Sequence, residues 1–376
     1  MGEERLKFHY LKAKAAMELK DFRVASEEFL CMTQIAPNLD FSHYNLASCY
    51  VELGQWKQAY DHYYYALSLG GELSQDADLL FNLGVCAERL NQPEHAERFY
   101  QEATLLNADL FAAHFNLGLL TSLKGKNGLA LSAFREAERL NPRHPEVEFH
   151  LKRLVGENLP ELPLSHVRSL FDGYADHYDQ HLQETLNYVL PEIMVDFIAK
   201  ECGGFTFPLL DLGCGTGLIA EALSVKIGGE IGRIDGVDLS PKMLAVARGK
   251  GKYQQLCCED LITFLRSAPS FSYQGVLAAE VFNYFGDLSD IFCEVSRVLK
   301  PGGWLCFSVE QPSEIQEVEG KDWILQPSLR YAHNQSYVKT LTQKEGFEER
   351  AVGEALVRNE QSAGVTQRLF LLKRWV

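Results

Sequence analysis

The chain has 376 residues, of which 46% are apolar and 23% charged, which is the composition of an ordinary globular protein with more than one domain. Both parts of the chain share the net charge of −15, since residues 1–160 alone carry 16 basic and 22 acidic side chains. A uniformly acidic surface repels a phosphate backbone, so nucleic acid is not an expected partner.

Membrane and metal classes are also disfavoured. No apolar run reaches the roughly 18 residues that a membrane span needs, and the N-terminus lacks the apolar core of a signal peptide. Nine cysteines occur without C-x-x-C spacing. This pattern favours reduced thiols in the cytoplasm, and it argues against a disulfide framework and against a metal site.

A repeat of 34 residues runs through the N-terminal part of the chain. The segments FNLGVCAERLNQPEHAERFYQEATLLNAD and FNLGLLTSLKGKNGLALSAFREAERLNPR begin 34 residues apart. Small residues recur at Ala96 and Ala130, and large aromatic residues at Tyr100 and Phe134. Each unit holds two amphipathic stretches of about a dozen residues joined by a turn, which predicts a pair of helices.

This pattern resembles the tetratricopeptide repeat, in four copies over roughly residues 5–142. The following segment, NPRHPEVEFHLKRL, resembles the helix that caps such a stack. We therefore expect residues 1–155 to form an α-solenoid.

The first helix of each pair would line the inner face of the solenoid. Asparagine recurs there at Asn45, Asn82 and Asn116, each after an aromatic residue. A side-chain amide offers both a donor and an acceptor, so a row of them can bind the backbone of an extended peptide. The repeats thus predict a protein or peptide in the groove, with self-association and plain scaffolding as alternatives.

Residues 156–167, GENLPELPLSHV, form a predicted linker, because two prolines and a glycine interrupt the helical periodicity. Seven strand-like runs follow, and amphipathic helices separate the first five, which predicts βαβ units. The last two runs favour an antiparallel edge. Residues 168–376 are therefore expected to form a Rossmann-like, doubly wound, mostly parallel sheet of seven strands.

The segment LLDLGCGTGL (209–218) predicts a strand that ends in a glycine-rich turn. It does not fit the dinucleotide fingerprint G-x-G-x-x-G, because Leu218 stands at the third glycine position, and no G-K-S/T of a P-loop follows. The pattern D-x-G-x-G-x-G fits at Asp211, Gly213, Gly215 and Gly217. It resembles motif I of class I S-adenosylmethionine-dependent methyltransferases, in which glycines let the backbone approach the cofactor.

The resemblance implies further contacts to S-adenosyl-L-methionine. Asp238, at the end of the second strand, would accept the ribose hydroxyls, and Asp211 would act on the ammonium group. Asp260 and Leu261 would meet the adenine edge, and Met243 would supply an apolar contact to adenine. The segment RVLKPGGWLCF also matches the helix, turn and fifth strand of the family.

Upstream of motif I, the segment VRSLFDGYADHYDQHLQETLNY resembles a helix that covers the cofactor in ubiquinone-type and other small-molecule methyltransferases. The matching residues are Phe171, Tyr174, Tyr178 and Asp179. Tyr174 and Tyr178 are therefore expected at the cofactor. Repeats joined to such a domain resemble a bacterial group of predicted repeat-containing methyltransferases.

The fourth strand ends in LAAEVFNYFGDL, which lacks the Asn/Asp-Pro-Pro-Tyr/Phe motif of enzymes that methylate adenine or glutamine. Glu280 is expected to contact the cofactor there. A base is needed only if the acceptor arrives protonated, and the candidates are His177, Tyr178, Glu280, Tyr284, Tyr331 and His333. We select Tyr284 and His333 as the catalytic candidates.

The resemblance therefore implies an S-adenosylmethionine-dependent methyltransferase with a small-molecule or protein acceptor, in which the repeats recruit a partner or the substrate. The alternative is an adaptor whose methyltransferase-like domain senses the cofactor without catalysis. Loss of motif residues would favour the adaptor, yet Asp211, Asp238 and Asp260 are present.

Overall fold

The computed structural model describes residues 2–157, 159–175, 178–180, 182, 186–313, 320–360 and 363–375. His177, one of the candidate bases, lies outside these residues. The chain forms two compact units, Met1–Val155 and Gly156–Val376, and each is treated separately below. None of the helices in the described ranges is both long and apolar enough to cross a membrane.

The described part of the first unit contains four helix pairs and one final helix. Their bounds are α1 (Gly2–Glu18), α2 (Phe22–Ile35), α3 (Asp40–Glu52), α4 (Trp56–Ser68), α5 (Ala77–Arg89), α6 (Pro93–Leu106), α7 (Phe111–Leu123), α8 (Asn127–Leu140) and α9 (Pro145–Leu154). A short 3₁₀ turn, Glu72–Gln75, lies between the second and third pairs. The predicted repeat solenoid is confirmed.

Each pair closes on one large aromatic side chain from its second helix. These four side chains are at most 2% exposed: Phe29, Tyr63, Tyr100 and Phe134. A Cβ added to Gly84 would lie 2.5 Å from the Tyr100 ring, and one added to Gly118 would lie 2.8 Å from the Phe134 ring. The glycines of the repeat are therefore small because the aromatic rings occupy the space that a larger side chain would need.

The turn inside each pair contains one residue in the left-handed region, with φ between 56° and 69°: Lys20, Gly54, Asn91 and Gly125. Glycine and asparagine adopt this conformation at low cost, which explains their recurrence in the turns. Asp21 and Asp76 cap α2 and α5 by accepting backbone N–H groups, and so fix where these helices begin.

The second unit alternates helices and strands. The helices are α10 (Leu164–Tyr174), α11 (Tyr178–Gln180), α12 (Leu190–Cys202), α13 (Leu218–Ile227), α14 (Pro241–Lys250), α15 (Leu261–Ser267), α16 (Ser289–Val298) and α17 (Gln335–Lys344). The strands are β1 (Leu209–Leu212), β2 (Ile234–Asp238), β3 (Gln255–Cys258), β4 (Tyr273–Ala278), β5 (Leu299–Glu310), β6 (Trp323–Leu325), β7 (Tyr331–His333), β8 (Phe347–Glu360) and β9 (Ala363–Arg374).

Strands β3, β2, β1, β4 and β5 lie side by side in that order and are all parallel. β9 pairs antiparallel with β5, and β8 pairs antiparallel with β9. At the end of β5, Glu310 pairs with Ala332 of β7, which in turn pairs with β6. The mostly parallel sheet with an antiparallel edge is confirmed, and β6 and β7 add two short strands that were not predicted.

Candidate active site

The carboxyl ends of the parallel strands border a cavity of about 680 Å³ in the second unit. In an open α/β sheet, ligands bind at this edge, where the loops after the strands converge. The turns after β1 to β4, helix α10 and residues 328–330 all contribute to its walls. Eight of the residues expected at the cofactor lie on this cavity: Tyr174, Tyr178, Gly213, Gly215, Asp238, Asp260, Leu261 and Glu280.

The turn after β1 brings backbone directly to the cavity. Gly213 and Gly215 have φ values of 62° and 53°, a conformation that other residues rarely adopt. A Cβ on Gly213 would lie 2.5 Å from Val281, whereas a Cβ on Gly215 would meet open space. Gly215 therefore leaves room beside the backbone that a bound group can fill.

Asp238 lies on the same cavity wall and can accept hydrogen bonds from a group bound there. Its Oδ2 accepts the N–H of Gly215 at 2.9 Å, and its Oδ1 accepts the N–H of Ser240 at 2.8 Å. Burial raises the pKa of this carboxyl, and the two backbone N–H groups oppose the rise. A carboxylate has about four lone-pair sites, so these backbone contacts leave it able to accept from a hydroxyl donor such as that of a ribose.

At the end of β3, Asp260 and Leu261 form the next part of the cavity wall. Asp260 also caps α15, because its Oδ2 accepts the N–H of Thr263 at 3.0 Å. The cap fixes the direction of the chain at this point. These two residues lie beyond Asp238 along the strand edge, which fits an extended nucleoside.

Three residues of the predicted cofactor set do not line the cavity. Asp211 is 1% exposed and accepts the hydroxyl of Tyr253 at 2.6 Å, and burial raises its pKa to about 7. Gly217 faces the Tyr253 ring. Met243 is fully buried and is not part of the cavity wall, whereas Leu239 lines it.

Helix α10 and the turn α11 cover the cavity and are tied to the turns beneath. The Ser240 hydroxyl donates to Asp172 Oδ1 at 2.5 Å, and the Thr216 hydroxyl donates to Asp179 Oδ1 at 2.5 Å. Asp179 also pairs with Lys250 at 2.7 Å. The covering segment is thus held by the same two turns that present Gly215 and Asp238.

The other end of the cavity carries a group of charged side chains, of which the sequence analysis predicted only Glu280. Arg358, on β8, contacts the carboxylate of Glu280, and its Nη2 lies 3.2 Å from Glu310 Oε1. The same Glu310 oxygen lies 3.2 Å from Arg330 Nη1. Gln367 donates to Glu280 at 2.5 Å. A charged residue directly after the apolar run 355–357, as Arg358 is, was the signal that could have revealed this group.

The two catalytic candidates lie in different environments. Tyr284 lines the cavity, and its ring is 5.3 Å from that of Phe171 on α10. His333 is 1% exposed and is not part of the cavity wall. Its Nε2–H donates to the carbonyls of Phe285 and Gly286, at 2.9 and 3.1 Å, and burial lowers its pKa to about 4. The geometry therefore argues against His333 as a base, and retains Tyr284.

Two family models match the chain. One is described as a methyltransferase domain and covers residues 210–307, and the other is described as a tetratricopeptide repeat and covers residues 40–104. The first spans β1 to β5 and therefore the turns that build the cavity. The second falls within the solenoid.

Three curated relatives illustrate the range of similar proteins. The ubiquinone biosynthesis O-methyltransferase of Thiobacillus denitrificans is 31% identical over 168 residues, 42% of this chain and 67% of that protein. Methyltransferase-like protein 27 of Homo sapiens is 32% identical over 176 residues, 45% of this chain and 66% of that protein. The demethylmenaquinone methyltransferase of Symbiobacterium thermophilum is 29% identical over 160 residues, 41% and 62% of the two chains. The chain thus spans about two thirds of the length of these relatives.

Proposed function

The chain belongs to the S-adenosylmethionine-dependent methyltransferases, joined here to tetratricopeptide repeats, and on that premise we propose that it methylates an oxygen atom of a small organic molecule bound in the cavity. The observation that carries the proposal is the Asp238 carboxylate, held towards the cavity by the backbone N–H groups of Gly215 and Ser240. The transfer to oxygen is supported by the name of the relative from Thiobacillus denitrificans.

The cofactor supplies a methyl group activated by a sulfonium charge. Asp238 would hold the ribose, Asp260 and Leu261 the adenine, and Gly213 and Gly215 would let the backbone pass close to the methionyl part. Glu280, whose carboxylate is fixed by Arg358 and Gln367, places a negative charge on the same edge. These residues align the cofactor, and alignment is the main contribution that a protein makes to such a displacement.

The acceptor would lie beyond β4, where the cavity wall is mainly aromatic and aliphatic. Phe171, Tyr178 and Tyr284 come together there, with Leu329 and Phe285 beside them. A covered cavity of this size and lining is typical of a site for a small molecule. Tyr284 lines this space, and we propose that its hydroxyl contacts the acceptor.

We propose that the repeats recruit a protein partner. Asn82 and Asn116 donate to tyrosine hydroxyls at 3.4 Å, and Asn45 donates to the carbonyl of Phe41 in its own helix. All three are partly exposed, and the longer contacts are weak enough to exchange for a peptide backbone.

The nine free thiols support a reducing, cytoplasmic setting.

The acceptor class can be tested with methyl-labelled S-adenosylmethionine in a cell extract depleted of the endogenous protein. Label that is extracted with small molecules, and that depends on added enzyme, supports the proposal. Label retained on protein would instead identify the solenoid as a substrate-docking element for protein methylation. Cofactor binding without any transfer would favour the adaptor, and the Asp238→Asn variant serves as the negative control.

The recruiting role requires a separate test, in which Asn45, Asn82 and Asn116 are replaced together by alanine. If the repeats deliver the substrate, KM should rise in the extract assay while kcat is unchanged, because only uniform binding has been removed. Helical content should persist, since the buried aromatic residues supply the packing. Unchanged KM would rule out the asparagine row as the recruiting surface.

A further inference from the structure

We propose that Tyr253 is a positioning residue for the cofactor site, which fixes the glycine turn after β1 from outside the cavity and acts through Asp211. Tyr253 is not part of the cavity wall, so its effect on a bound cofactor has to pass through the turn. The inference rests on the proposed function in one respect, since it takes this cavity as the site of S-adenosylmethionine. It depends on the contacts that one side chain makes with both ends of the turn.

At the start of the turn, Tyr253 makes a short hydrogen bond. Its hydroxyl donates to Asp211 Oδ2 at 2.6 Å, a distance typical of a hydroxyl that donates to a charged oxygen. Asp211 is 1% exposed, so its carboxyl depends on protein donors rather than on bulk water. Because Asp211 stands two residues before Gly213, this bond fixes the point at which the chain leaves β1.

At the end of the turn, the ring of Tyr253 packs against Gly217. This glycine has a φ of 91° and directly precedes α13. A Cβ added to it would lie 3.0 Å from the Tyr253 ring, which is tighter than an ordinary van der Waals contact. The ring therefore limits how far the end of the turn can move, while the hydroxyl holds its start.

The tyrosine reaches Asp211 by crossing β2 at a glycine. Gly236 pairs in register with Asp211, and side chains at paired positions lie on the same face of the sheet. A Cβ added to Gly236 would also lie 3.0 Å from the Tyr253 ring. Gly217 and Gly236 thus leave the space that the ring occupies, and contact with the cofactor is not needed to explain either of them.

The backbone on both sides of Tyr253 is attached to the elements that flank the turn. The N–H of Gln254 donates to the carbonyl of Ile234 at 2.9 Å, and its Oε1 accepts the N–H of Ile234 at 2.6 Å. On the other side, Lys252 Nζ donates to Ser224 of α13 at 3.1 Å. The tyrosine therefore projects from a segment fixed to β2 and α13, as a side chain that positions a binding site requires.

The test compares S-adenosylhomocysteine with methylthioadenosine, which keeps the adenine, ribose and sulfur but lacks the amino-acid part that the turn would face. With the full chain, calorimetry should show that Tyr253→Phe binds S-adenosylhomocysteine at least about fivefold more weakly, whereas its affinity for methylthioadenosine stays within about a factor of two. A general loss of structure would weaken both ligands.

Tyr273→Phe is the matched control. The Tyr273 hydroxyl donates to the buried carboxylate of Asp235 at 3.0 Å, and neither residue lines the cavity. This variant loses the same kind of bond in the same sheet but away from the turn, so both affinities should be unchanged.

Two further measurements show whether Tyr253 acts through Asp211 and through the turn. In Asp211→Ala the hydroxyl has lost its acceptor, so adding Tyr253→Phe should weaken S-adenosylhomocysteine by less than about twofold more. Without any ligand, the N–H groups of Cys214, Gly215 and Gly217 donate within the turn and to the end of β2. Their hydrogen exchange should accelerate in Tyr253→Phe and stay unchanged in Tyr273→Phe.

An equal loss of affinity for the two ligands, or no loss for S-adenosylhomocysteine, would overturn the inference. Additive effects of the two substitutions would contradict the route through Asp211, and unchanged hydrogen exchange in Tyr253→Phe would contradict the hold on the turn. Failure of the wild-type chain to bind S-adenosylhomocysteine would instead contradict the proposed function. The exchange comparison needs no ligand, so it still decides whether Tyr253 fixes the turn.

Discussion

The hydroxyl of Ser240 donates a hydrogen bond of 2.5 Å to the carboxylate of Asp172, and so connects the covering helix α10 to the turn after β2. The same serine donates its backbone N–H to Asp238 at 2.8 Å, and its hydroxyl oxygen accepts the N–H of Met243 as the cap of α14. One residue thus joins the cover, the helix and the carboxylate proposed to hold the ribose. Closure of the cover and binding of the cofactor are expected to be coupled.

Asp172→Ala tests this coupling. The variant should bind S-adenosylhomocysteine about 3- to 10-fold more weakly, because the cover loses about 1 kcal/mol of attachment. Hydrogen exchange of residues 164–174 in the bound state should accelerate in parallel. Asp290→Ala, which removes an exposed ion pair with Arg266, is the control. Equal affinities in the two variants would mean that the cover closes without this bond.

Asp238→Asn tests the proposed ribose contact. The amide keeps the size of the side chain but loses the charge and one acceptor oxygen, so affinity for S-adenosylhomocysteine should fall about 10- to 150-fold. Calorimetry measures the effect, and circular dichroism checks the fold. Asp196→Asn, at an exposed position of α12, should change nothing. Unaltered affinity in folded Asp238→Asn would assign the ribose to another residue.

Asp211 should make the stability of the protein depend on pH. Burial raises its pKa from 3.8 to about 7, against the lowering effect of the Tyr253 hydroxyl. The native state therefore retains a proton that the unfolded state loses, and this contribution to stability disappears as the pH rises from about 4 to about 7. Asp211→Asn should show a smaller decrease in the free energy of unfolding between about pH 4 and about pH 7, measured by urea unfolding. An unchanged pH profile would show that the carboxyl is ionised throughout this range.

The sequence was sufficient for features that depend on local patterns. The repeat register predicted the helix pairs because one small and one aromatic residue recur at fixed spacing. In the structure the Tyr100 ring indeed occupies the space that a side chain on Gly84 would need. The glycine turn comes directly after β1, and the carboxylates of Asp238 and Asp260 stand at or just after the ends of β2 and β3. The strand pattern alone was therefore enough to place both carboxylates on the cavity.

Features that depend on distant parts of the chain could not be predicted. Arg358 reaches Glu280 only because β8 returns beside β9, far from β4 in sequence. The three-residue strand β7 is too short to show an alternating pattern, so the environment of His333 could not be recognised. A histidine near tyrosines resembles a candidate base in sequence, although His333 is buried away from the cavity and its Nε2–H donates to two carbonyls.

His333→Ala should therefore affect stability rather than chemistry. Removing the donor to the carbonyls of Phe285 and Gly286 should cost about 1–3 kcal/mol, seen as a lower unfolding midpoint. Burial lowers the pKa of His333 from 6.5 to about 4, so the native state excludes a proton that the unfolded state binds. The free energy of unfolding of the wild type should therefore decrease as the pH falls from about 6.5 to about 4, and that of the variant should decrease less.

The methyl-transfer assay separates this role from that of Tyr284. At a temperature where both variants are folded, His333→Ala should keep kcat within about a factor of two. Tyr284→Phe should instead lower kcat/KM by about tenfold with little change in melting temperature, because Tyr284 lines the cavity and its hydroxyl is proposed to contact the acceptor. A large loss of kcat in folded His333→Ala would restore the histidine as a catalytic candidate.

The packing of the solenoid can be tested with two glycines from neighbouring helices. Gly118→Ala would place a Cβ 2.8 Å from the Phe134 ring, and the resulting overpacking should destabilise the repeats by about 1–3 kcal/mol. Gly128→Ala, in α8, meets nothing within 4 Å, so the alanine should instead stabilise the helix by about 0.5–1 kcal/mol. Thermal unfolding followed at the helical signal should therefore shift in opposite directions for the two variants. Shifts of the same sign would mean that backbone entropy, and not contact with the aromatic ring, explains the small residue in the repeat.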